Sequence, residues 1–122
     1  MRRRRLHVRG RAAAMEQLLR EAPDLDGVFC ASDLMAAGAL GVLLAAGRRV
    51  PEDVRLVGFD DSPIAATTRP PLTSVGQPIE EMGREAVRLL LDDIDRGGRP
   101  PRRVVLATDL APRASSAGRE AL

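Results

Sequence analysis

With 122 residues, 44% of them hydrophobic, the chain is long enough for one domain with a real core and too short for two ordinary ones. No apolar run approaches the roughly 18 residues of a membrane span, and the single Cys30 excludes an internal disulfide. Residues 1–11 hold six Arg and no acid, so of the net +2 the rest of the chain carries −4, the wrong sign for a nucleic-acid-binding body.

Residues 1–9 read as a solvated, disordered basic arm. Met1 to Arg5 resemble the charged region of a signal peptide, but no apolar segment follows, so the chain is expected to be cytoplasmic. From Arg11 to Ala22 an Ala-rich segment repeats Met15, Leu18, Leu19 and Ala22 at helical steps, and Pro23 stops it. Gly27 to Ala31 is a short buried strand, with Cys30 as a small hydrophobe rather than a reactive thiol. Ser32 is placed to cap the next helix, and Asp33 suits the positive end of its dipole. That helix, Asp33 to Ala46, is so densely apolar that cover on more than one side is expected; Gly47 is its left-handed stop.

A strand at Val54–Phe59 then ends in Asp60 and Asp61. Thr67 to Pro71 looks irregular and Leu72 to Val75 extended. Pro78 can open a helix whose stripe (Ile79, Met82, Gly83, Ala86, Leu90, Ile94) runs as far as Arg96. Gly97, Gly98, Pro100 and Pro101 break it, Val104 to Leu106 is expected as a last strand, and Ala111 onward as a polar tail. Alternating helices and strands with short links predict an α/β fold with a doubly wound, mostly parallel sheet.

In such sheets ligands gather beyond the carboxyl ends of the strands, which is where Asp60 and Asp61 fall. The same two residues could simply turn the chain, since Asp favours turns and caps. Adjacent acids could also hold Mg²⁺ in a receiver-like phosphoacceptor domain, but such domains use a Lys and this chain has none. No Ser–His–Asp arrangement can be argued, because His7 lies in the arm and Ser115 and Ser116 in the tail. Cys and His ligands for a metal are lacking. The expectation is a protein that is not an enzyme and carries no metal or cofactor.

Three motifs stand in order: CASDLMAAGAL (30–40), VPEDVRLVGFDDSPIA (50–65) and PPLTSVGQPIEEMGREAVRLLL (70–91). Together they resemble the LacI/GalR family of bacterial transcriptional regulators, in the distal part of the effector-binding core, from about Gly10 to Ser116. The resemblance implies part of a type I periplasmic-binding-protein-like fold, with a sugar or nucleobase-like effector in the cleft between two subdomains. It implies a homodimer, and operator contact only through a helix-turn-helix domain that these 122 residues do not contain. The chain is therefore expected to be the C-terminal fragment of such a regulator, with residues 117–122 as a tail. A secreted solute-binding protein of the same fold is the nearest rival, and the missing apolar signal region counts against it.

Carried over by the same resemblance, Asp60 accepts hydrogen bonds from the effector, and Ser32 faces it from a position where Asn is common. Phe59 lines the pocket or the core. Asp33 holds the helix start, and Asp61 forms the turn. The chain is expected to cross between subdomains near Leu72–Gln77, which would leave the stripe at residues 79–94 without its partner surface and the isolated chain marginally stable and self-associating.

Overall fold

The computed structural model describes residues 8–98 and 100–118, with backbone alone for residues 8–11. The chain divides into two units: the first runs to Gly76 and resumes at Leu110, and the second is Gln77–Asp109.

In the first unit, helix α1 (Val8–Glu21) leads into strand β1 (Gly27–Phe29), helix α2 (Asp33–Ala45), strand β2 (Arg55–Asp60), helix α3 (Pro63–Thr67) and strand β3 (Thr73–Gly76). Strand β4 (Asp109–Ala111) completes a sheet of order β1-β2-β3-β4. Strands β1 and β2 pair in parallel with Val28 opposite Leu56, and β2 and β3 pair in parallel with Gly58 opposite Ser74. Short right-handed α connections are what parallel neighbours require. Val8 and Arg9, expected in a disordered arm, belong to α1; residues 1–7 and 119–122 lie outside the described residues.

The core is aliphatic, as two Phe in the whole chain demand. Ala36, Ala39, Leu40 and Leu43 form the buried face of α2 at steps of three and four, packed with Met15, Val54, Leu56, Ala65 and Leu72. Ala36, beside Gly58, lets α2 approach β2 closely. Cover on more than one side of α2 is found, from α1, α3 and β2, while Leu34, Met35 and Leu44 stay exposed. Gly47, at φ 74°, stops the helix as its sequence requires. Cys30 is buried, and burial raises its thiol above the usual pKa.

Two expectations at the C-terminal end are corrected. Residues 104–106 form no strand; the fourth strand is Asp109–Ala111. An apolar run has strand character only where a sheet edge receives it, and Val105 is exposed. Nor is the segment after Ala111 simply a polar tail. Ala114–Ser116 form a 3₁₀ turn, and Ser115 is fully buried. Its Oγ donates to the Leu56 carbonyl at 2.5 Å and accepts from the Thr73 N–H at 2.8 Å, while its own N–H donates to Pro71 O at 2.9 Å. A further element unforeseen in the sequence is α3, opened by Pro63 in the first turn and too short for any periodicity to reveal.

The second unit is built on helix α4 (Ile79–Arg96). Arg102 reaches Asp92 at 3.1 Å and Asp93 at 3.2 Å, tying the following segment to the helix. No residue of α4 is buried, and Ile79, Met82, Leu90 and Ile94 all stand exposed.

Candidate functional site

Parallel strands bring their carboxyl ends to one edge of the sheet. Ser32 and Asp33 follow β1, Asp60 ends β2 opposite Gly76 at the end of β3, and Asp61 and Ser62 follow directly. The candidate residues Ser32 and Asp60 therefore share an edge although 28 positions separate them in sequence.

Ser32 has extended backbone and accepts from the Met35 N–H at 3.2 Å, so it caps α2. Ser32→Ala should cost about 0.5–2 kcal/mol through the lost cap. Thermal melting of the chain checks this, and an unchanged midpoint would show that the cap carries no stability.

Asp33 does more than start the helix. It is buried, and its carboxylate accepts three hydrogen bonds. Oδ2 receives the Ser62 N–H at 2.7 Å and the Ser62 hydroxyl at 2.9 Å, and Oδ1 receives the Ser74 hydroxyl at 2.5 Å. Ser74 Oγ in turn accepts from the Asp61 N–H at 3.0 Å. A carboxylate accepts only, so three converging donors suit its ionised form. Gly58 makes room for it: a Cβ at that position would collide with Asp33 Oδ1.

Asp60 is exposed, at φ 100°, and Asp61 follows at φ 49°. Two consecutive non-Gly residues in this region cost about 1–3 kcal/mol each, less for Asp than for most, and persist where the surroundings hold them. The Asp61 carboxylate pairs with Arg113 at 2.7 Å, and Arg113 also donates to the Leu72 carbonyl at 2.9 Å. The Asp61 carboxylate is thus engaged by a guanidinium. Among the described residues no cluster of three or more His, Cys, Asp or Glu is placed to hold a metal. Phe59 is half-buried, edge-on to the exposed Phe29 ring with centroids 6.4 Å apart.

Ser62, Ser74 and Arg113 were not legible as site residues. Ser62 preceding Pro63 carried a faint helix-start signal; the other two carried none.

A parallel α/β unit with an acid exposed at the end of its second strand has the form of a small-molecule binding domain. Residues 1–116 match the family model of the periplasmic binding protein-like domain, and the chain belongs to that family, in the part formed by the effector-binding core of LacI-type transcriptional regulators. It is 58% identical over 103 residues to the HTH-type transcriptional regulator CelR of Thermobifida fusca, spanning 84% of this chain and 30% of that protein. The HTH-type transcriptional regulator MalR of Streptomyces coelicolor is 45% identical over 108 residues, 88% of this chain and 30% of MalR. A solved CelR–cellobiose complex superimposes with TM-score 0.83 at 55% identity, covering 90% of this chain and 34% of that one. A LacI family regulator from Arthrobacter sp. FB24 in complex with lactose does so with TM-score 0.77 at 35% identity, covering 92% and 42%. The chain thus spans about a third of the length of the relatives it matches, and these relatives are transcriptional regulators, not enzymes.

Proposed function

We propose that the chain is the distal part of a sugar-sensing core, in which Asp60 accepts hydrogen bonds from effector hydroxyls and Ser32 and Phe59 line the same cleft. The observation that carries this reading is the exposed Asp60 carboxylate at the carboxyl edge of the sheet, in a strained turn, within a fold shared at 55% identity with a cellobiose-bound regulator. An ionised acceptor at a strand end is the chemistry a polyhydroxylated ligand needs. In this reading the segment at Leu72–Gln77 is the crossover between subdomains, and Gln77–Asp109 begins the second one. The whole protein is a cytoplasmic homodimer that reaches operator DNA through a helix-turn-helix domain outside these 122 residues. Exposed Leu34, Met35 and Leu44 on α2 are consistent with association through its outer face.

The test is a chimera in which residues 10–116 replace the matching segment of Thermobifida fusca CelR, titrated with cellobiose and lactose by calorimetry. Saturable binding of one of these sugars supports the proposal. A folded chimera that binds neither of them nor any other sugar or nucleoside contradicts it.

A further inference from the structure

We infer that Asp33 is the positioning residue of the site, a buried carboxylate that sets the aim of Asp60 by clasping the two peptide units after it. The inference rests on the reading of Asp60 as the effector contact. Both amides that follow Asp60 end on Asp33: Ser62 N–H directly, and Asp61 N–H through the Ser74 hydroxyl. These are the peptides that must be fixed if Asp60 and Asp61 are to keep φ values of 100° and 49°, because strained turns survive only where outside contacts over-determine them. The clasp reaches the loop from α2, whose cap Ser32 is the adjacent residue. One rigid junction thus fixes Ser32 and Asp60 relative to each other. Arg113 engages the Asp61 side chain and leaves the Ser62 amide to Asp33 and the Asp61 amide to Ser74.

The geometry also says why another side chain would serve less well. Asp33→Asn keeps the shape but offers one oxygen where two are used. With that oxygen toward Ser62, an NH₂ faces the Ser74 hydroxyl proton; with it toward Ser74, both Ser62 donors lose their acceptor. Gly58, which leaves space for Oδ1, fits a carboxylate held in one place.

Amide hydrogen exchange of the 122-residue chain, read by NMR in wild type, Asp33→Asn and Ser74→Ala, tests the inference. In Asp33→Asn at least one of the amides of Asp61 and Ser62 should exchange at least tenfold faster, while those of Leu43 and Leu56 change less than twofold. In Ser74→Ala the Asp61 amide should be released tenfold and the Ser62 amide less than twofold, a split that general destabilisation would not produce. Unchanged protection at Asp61 and Ser62 in a folded Asp33→Asn variant overturns the inference. Should Asp33→Asn unfold, the split in Ser74→Ala decides alone, and equal changes at both amides count against the clasp. Cellobiose added to the CelR chimera, with the Asp60 carboxyl ¹³C shift as readout, separates the two readings. No response to sugar counts against the proposed function, while the exchange data still decide whether Asp33 sets the turn.

Discussion

Leu56→Ala is expected to destabilise the chain by about 2–5 kcal/mol, the range for a fully buried leucine whose cavity collapses only in part. Leu56 is 0% exposed near the start of β2, packed among the few large aliphatics of the first unit. Such a loss is a large share of the roughly 5–15 kcal/mol that holds a small domain together. Leu90, on the apolar stripe of α4, is 59% exposed, and Leu90→Ala should stay within about 0.5 kcal/mol. Denaturant unfolding of both variants at low protein concentration measures the contrast. A cost for Leu90→Ala equal to that for Leu56→Ala, growing with concentration, would mean that copies of the chain cover α4 in one another.

Ser115→Ala should cost about 1–3 kcal/mol for the buried Thr73 N–H that loses its acceptor, with a further contribution from the Leu56 carbonyl that loses a donor. An exposed serine, by contrast, could be replaced almost freely. The same unfolding measurement applies, with Ser115→Thr as the control that keeps the hydroxyl. If Ser115→Ala were neutral, the segment at Arg113–Ser116 would not be a working part of the first unit, and its bonds to β2 and β3 would carry no stability.

Ser115 also marks where reading the sequence stops. Helices α2 and α4 were legible because their information is local: a stripe at three- and four-residue steps, a capping serine, a glycine that accepts a positive φ. The strand ending in Asp60 was legible for the same reason. Ser115 finds its partners 42 and 59 positions away, and no local pattern announces them. The placement of the fourth strand failed likewise, because Val104–Leu106 is more apolar than Asp109–Ala111 and only the sheet edge decides which run is paired. At the site, the place of Asp33 at the start of α2 is local information. Its bonds to Ser62 and Ser74, 29 and 41 positions on, were invisible, and so was the anchoring of Asp61 by Arg113.

The proposed function requires that Asp60, and not its neighbour, meets the effector. In the CelR chimera, Asp60→Ala and Asp61→Ala made separately and titrated with the sugar it binds measure this directly. A hydrogen bond to a charged acceptor contributes about 1.5–3 kcal/mol, so Asp60→Ala should weaken binding at least tenfold. Asp61→Ala, which gives up a partly buried pair with Arg113, should weaken it less. Equal losses from both, or a larger loss from Asp61→Ala, would contradict the assignment.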